Sequence, residues 1–155
     1  MKSMQLLLIC AVLCCAALAQ PTAEQRSWNQ PVAPFRIIGN VYYVGANEIT
    51  SFLITSPQGH ILLDGGFAET APEIRDNIRK PGFKVEDVKY LLNSQAHFDH
   101  AAGLAALKQW TGGKFVASRE DGDLVARGGH EDFAWGDKMT FAPVRPDRII
   151  GEGET

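Results

Sequence analysis

Asn93-Ser94-Gln95-Ala96-His97-Phe98-Asp99-His100 is the stretch on which the reading of the whole chain turns. Ahead of it, Val88-Lys89-Tyr90-Leu91-Leu92 is rich in β-forming residues. Behind it, small residues and a helical pattern run over 101–110. A cluster of ligand-type side chains therefore stands at a strand-to-helix turn, where several can converge at one sheet edge. His97, Asp99 and His100 offer two imidazoles and a carboxylate, donor types that zinc takes. An extended backbone would aim Gln95 to the same side as His97 and Asp99. The bland alternative is a helix N-cap, with Asp99 accepting backbone N–H groups and both histidines solvated.

Upstream, β-type runs alternate with turn residues. Residues 35–38 and 41–44 flank Gly39-Asn40, a two-residue hairpin signal. Residues 51–55 and 60–63 flank Ser56-Pro57-Gln58-Gly59, with Pro57 at the second position of a tight turn. His60 opens its strand at an exposed turn and reads as structural. Asp64-Gly65-Gly66 then ends the strand, the glycines allowing a turn beneath a site. Asp64 is expected to steady a ligand from behind rather than to bind metal itself, the alternative being bonds to local turn amides.

Thr70-Ala71-Pro72-Glu73 reads as a capping box with Pro just inside the helix start. Ile74 and Ile78 share one face of that helix, and Pro81-Gly82 stops it. Downstream of the motif, Leu104 and Leu107 mark the buried face of a helix ended by Gly112-Gly113. Residues 114–117 form a strand, and Ser118 with Asp121 begins a helix carrying Leu124 and Val125 up to Gly128-Gly129. From His130 the chain is irregular, through Asp132, Trp135 and Asp137, until a β-type run at 148–150. His130 reads as a surface residue. Antiparallel strands first, then alternating helices and strands, predict an α/β (α+β) fold, a mixed sheet with helices on one face.

At 155 residues, 45% hydrophobic and 21% charged, the chain has the makeup of one ordinary folded domain. Its net charge of −3 gives no basic patch for nucleic acid. The three cysteines, Cys10, Cys14 and Cys15, all lie in a leader with Lys2 at its start, an apolar core over 6–18, and Ala17-Leu18-Ala19 before Gln20. The apolar run is shorter than the ~20 residues a membrane span needs. Residues 1–19 are thus expected to be a signal peptide cleaved after Ala19, with export to the periplasm or medium and no stable membrane association afterwards. Residues 20–34, rich in Pro, Gln and Ser, read as an N-terminal arm with Trp28 its one large apolar side chain.

The motif resembles the H-x-H-x-D-H signature of the metallo-β-lactamase superfamily, with Gln95 in the place of the first histidine. Thr55-Ser56-Pro57-Gln58-Gly59-His60-Ile61-Leu62-Leu63-Asp64-Gly65-Gly66 resembles the matching stretch of subclass B3 enzymes, some of which also carry that glutamine. The resemblance runs from about Trp28 to the last residue, and it places the arm near an active-site groove. It implies an αββα sandwich of two halves, of which residues 35–155 are expected to supply the first. It further implies up to two Zn²⁺ ions, Gln95 and His97 serving one and Asp99 and His100 the other. Asp99 would then be catalytic as well as a ligand. The implied activity is hydrolysis of the β-lactam amide by metal-bound hydroxide, the chemistry of antibiotic resistance, on a small-molecule β-lactam substrate. Gln95, a neutral amide, should bind zinc less strongly than imidazole.

Only His130 follows His100, and it sits in no motif matching the family's later histidines. The chain alone is therefore expected to be inactive, with an incomplete ligand set. It is also expected to be unstable, because the sheet carrying Leu53, Ile61, Leu63 and Leu91 would lack its partner sheet. Two other readings remain: a thioesterase or lactonase of the same superfamily, and a non-catalytic truncated product.

Overall fold

Residues 22–154 are described by a computed structural model, so the expected signal peptide and its cysteines lie outside the described residues. Seven strands lie side by side in chain order in one sheet. They are β1 (Phe35–Ile38), β2 (Val41–Tyr43), β3 (Phe52–Ile54), β4 (His60–Leu63), β5 (Val88–Leu92), β6 (Lys114–Ala117) and β7 (Arg148–Ile149). The first four pair antiparallel through short turns. From β4 to β7 every pair is parallel, so each connection must cross over. The helices are α1 (Ala23–Trp28), α2 (Ala71–Arg79), α3 (Phe98–Ala101), α4 (Leu104–Thr111) and α5 (Arg119–Ala126). The crossovers through α2, through α3 and α4, and through α5 all step the same way across the sheet. Right-handed connections then place all of them on one face.

That face is the core. Tyr42 pairs with Leu53, Leu53 with Leu62, Leu62 with Leu91, and Leu91 with Phe115, a row running straight across five strands. The four residues from Leu53 to Phe115 are fully buried, and Ile74, Ile78, Leu104, Leu107 and Val125 meet them from the helices. Each such side chain contributes about 1.5–3 kcal/mol when buried. The next row, Tyr43, Phe52, Leu63 and Leu92, points to the other face and is only half-buried. Leu53 and Leu91 are therefore not among the residues awaiting a partner sheet. Ile61 and Leu63, half-buried, are on that open face, because side chains alternate along a strand.

Several local expectations change. The arm at 20–34 contains α1, started by a capping box in which Thr22 accepts from Gln25 and the Gln25 side chain accepts in return. The capping box expected at Thr70 does not form. Thr70 Oγ1 accepts from Phe67 N at 3.2 Å and bonds Asn29 Oδ1, while Glu73 Oε1 accepts from Val32 N at 2.9 Å. Both residues tie the arm to α2 instead of closing the helix end. His60 is buried, not exposed: its Nδ1 accepts from Ser56 N, and its ring stands edge-on to Phe83. Its structural role is as expected.

Candidate metal centre

The expected helix over 101–110 breaks at Gly103, and the break positions the motif. A Cβ built on Gly103 would stand 2.1 Å from Gly65 O and 2.9 Å from Phe67 O. Only glycine lets the chain after the motif press against the turn after β4. Backbone bonds fix that contact: Gly65 N donates to His100 O at 2.7 Å, and Gly103 N to Gly66 O at 3.0 Å. Asp64 N donates to Leu92 O at 2.9 Å, tying the ends of β4 and β5 together.

Asp64, buried at 2% exposure and with φ of 66°, stands directly behind the motif. Its Oδ1 accepts from Ser94 N at 2.7 Å. Its Oδ2 accepts from Ser94 Oγ at 2.7 Å and lies 3.0 Å from His100 Nδ1. The hydrogen bond to Asp64 holds the His100 pKa above the ordinary imidazole value; burial opposes this, and the Asp64 and Asp99 charges add to it. With Nδ1 engaged, His100 has Nε2 left, and Asp99 Oδ2 lies 3.5 Å from it.

That spacing tests whether the residues fit a metal. Two ligands at ~2.0–2.1 Å in tetrahedral geometry sit about 3.3 Å apart. Asp99 and His100 therefore fit two corners of one zinc ion. The N-cap alternative fails, since α3 has His97 at its N-cap with no side-chain capping bond and Asp99 inside the first turn. The alternation that was to align Asp99 with Gln95 and His97 stops there, because the backbone is already helical.

His97 faces a different carboxylate. Its Nε2 is 3.4 Å from Asp132 Oδ2, in the loop after α5, a neighbour that no local pattern points to. Phe133 approaches the His97 ring at 5.9 Å, and Trp135 stands edge-on to Phe98 at 6.3 Å. On the far side of Phe98, Phe67 stacks at 5.5 Å, and Trp28 joins the same small cluster, so the arm does reach the motif's surroundings. Gln95 is exposed. His130 pairs with Asp137 at the surface, 3.2 Å away. Among the described residues no three His, Cys, Asp or Glu side chains converge as a metal set. A cavity of about 710 Å³ lies against α5 and β7 and includes none of the motif residues.

Residues 44–155 match the family described as the Metallo-beta-lactamase superfamily. A metallo-beta-lactamase of Cronobacter sakazakii, described by its HARLDQ motif, is 46% identical with a TM-score of 0.82, covering 83% of this chain and 50% of that one. A subclass B3 metallo-beta-lactamase isolated from a soil metagenome library is 43% identical with a TM-score of 0.78, over 82% and 49%. A UPF0173 metal-dependent hydrolase of Anaeromyxobacter sp. (strain K) is 35% identical over 105 residues, 61% of this chain and 36% of that protein. The chain thus spans about half the length of the solved structures it resembles, and less of the hydrolase.

Proposed function

The chain belongs to the metallo-beta-lactamase superfamily, and from that premise we propose that it provides the metal-binding motif of a zinc hydrolase that opens the β-lactam amide bond. The observation that carries this reading is the 3.5 Å approach of Asp99 Oδ2 to His100 Nε2, the spacing of two ligands on one ion. In this proposal Asp99 and His100 hold one zinc, and His97 with Gln95 holds the other. Zinc bound there would supply Lewis acidity to polarise the amide carbonyl and make a water more acidic. Asp64 engages His100 at Nδ1, so Nε2 is the ring nitrogen that would bind the ion. Subclass B3 likeness at 43% identity favours a β-lactam over the thioesters or lactones that other members of a broad hydrolase family could take.

Each proposed ion has only two protein donors among the described residues. The 155-residue chain with zinc is therefore expected to hydrolyse a chromogenic cephalosporin no faster than free zinc does. The decisive experiment is a chimera in which residues 22–154 replace the corresponding segment of the soil-metagenome enzyme. Zinc-dependent β-lactam turnover that Asp99→Ala abolishes supports the proposal. A folded chimera that binds zinc yet hydrolyses only thioesters or lactones overturns the substrate class. The proposal also includes export with cleavage between Ala19 and Gln20, to be read by N-terminal sequencing of secreted protein; a product starting at Met1 rejects it.

A further inference from the structure

Asp132 is a buried carboxylate that neither the motif nor the family comparison accounts for; its side chain is only 5% exposed. Its Oδ1 accepts from Ala134 N at 2.7 Å and from Trp135 N at 3.0 Å. Its backbone closes the same loop, Gly136 N donating to Asp132 O at 2.8 Å and Asp132 N to Gly136 O at 3.3 Å. The carboxylate is therefore mounted on a short, internally bonded loop. The aromatic approaches of Phe133 to His97 and of Trp135 to Phe98 seat that loop on the motif. One oxygen is occupied by the loop, and the other lies 3.4 Å from His97 Nε2.

A histidine that binds a metal does so through an unprotonated ring nitrogen, and the partner of the other nitrogen decides which one that is. An ionised carboxylate can only accept. We propose that Asp132 is a positioning residue for His97: it keeps the ring proton on Nε2 and so presents Nδ1 as the zinc donor. The proposal rests on the reading of His97 as a ligand. It also gives the loop a purpose, since the same carboxylate fixes the backbone that carries Phe133 and Trp135 beside the ring.

The test uses the full chain. Long-range ¹H–¹⁵N spectra of the zinc-free protein should show His97 protonated on Nε2; a ring protonated on Nδ1 overturns the proposal without any variant. In Asp132→Asn the amide oxygen can still accept from Ala134 and Trp135, but the NH₂ group then faces Nε2. Nε2 must accept, the proton moves to Nδ1, and the donor is blocked. Zinc affinity at that site, measured by chelator competition on protein whose unfolding curve shows it folded, should fall roughly 10–100-fold. Asp132→Ser keeps a short acceptor for the loop amides without reaching the ring, and should lose part of that affinity. His97→Ala should lower affinity as much, and Asp132→Asn should add nothing on that background. If His97→Ala leaves zinc binding intact, His97 is no ligand and the underlying reading fails. If His97→Ala weakens binding and Asp132→Asn does not, or if the two losses add independently, the role given to Asp132 is wrong.

Discussion

Replacing Asp64 by Asn should separate what the buried carboxylate does for the fold from what it does for His100. Asn tolerates the positive φ at this position, so the backbone is not strained. Its amide oxygen can still take the Ser94 N–H that Oδ1 accepts at 2.7 Å. What disappears is the charged oxygen shared by Ser94 Oγ at 2.7 Å and His100 Nδ1 at 3.0 Å. Hydrogen bonds to a charged group contribute about 1.5–3 kcal/mol, neutral ones about 0.5–1.5. Two such bonds turned neutral should cost about 2–3 kcal/mol, against a total stability of about 5–15.

The same substitution has a pH signature. In the metal-free chain the folded-state pKa of His100 is raised, mainly by Asp64. Protonated His100 therefore adds stability that is fully present below the unfolded value of 6.5 and is lost as pH rises through the raised folded value. One proton gives a slope of at most about 1.4 kcal/mol per pH unit. Urea unfolding from pH 5 to 9 with a chelator present should show the wild-type chain weakening as pH rises above 6.5. Asp64→Asn should lie lower at acidic pH and should lose most of that slope. An equal slope in both proteins, or a variant within 0.5 kcal/mol of wild type at pH 6, would refute this account of Asp64.

Gly103→Ala should be among the most damaging single changes in the chain. Its Cβ would meet backbone oxygens, which cannot swing aside, and the loss should exceed about 3 kcal/mol; a variant with wild-type circular dichroism and unfolding midpoint would show that the break after α3 has slack. Gln95→His should tighten zinc at the weaker of the two proposed sites, because imidazole is the stronger donor. Zinc titrations that leave both affinities unchanged would remove Gln95 from the ligand set.

Much of the scaffold was readable from composition and periodicity. The strands at 35–38, 60–63, 88–92 and 114–117 and the helix faces of Ile74 with Ile78 and Leu104 with Leu107 follow from patterns that repeat within a few residues. What escaped was long-range. Thr70 and Glu73 have the residue types of a capping box, yet a distant arm offers Asn29 and the Val32 N–H, and those contacts win. A local pattern records only which bonds are possible. It cannot weigh them against partners 41 residues away. The helix at Ala23–Trp28 was missed for a different reason: no residue in it is buried, so no apolar period marks it, although Thr22 and Gln25 carried a capping signal.

The site shows the same division between donor types and donor geometry. The motif named the donors, but the geometry comes from where the sheet changes character. β4 pairs antiparallel with β3 and parallel with β5, so the carboxyl ends of β4 and β5 lie together with Asp64 after one and the motif after the other. Crevices at such ends are where open α/β sheets collect functional side chains. Each histidine then has one ring nitrogen facing a buried carboxylate, His100 toward Asp64 and His97 toward Asp132. The two carboxylates lie on opposite sides of the motif in sequence, 36 residues before His100 and 35 after His97, and neither could be paired with its histidine by spacing. Backbone bonds from Asp64, Gly65 and Gly103 fix this edge. The position of the motif is thus set by main-chain bonds between two turns far apart in sequence, which no spacing of donor side chains records.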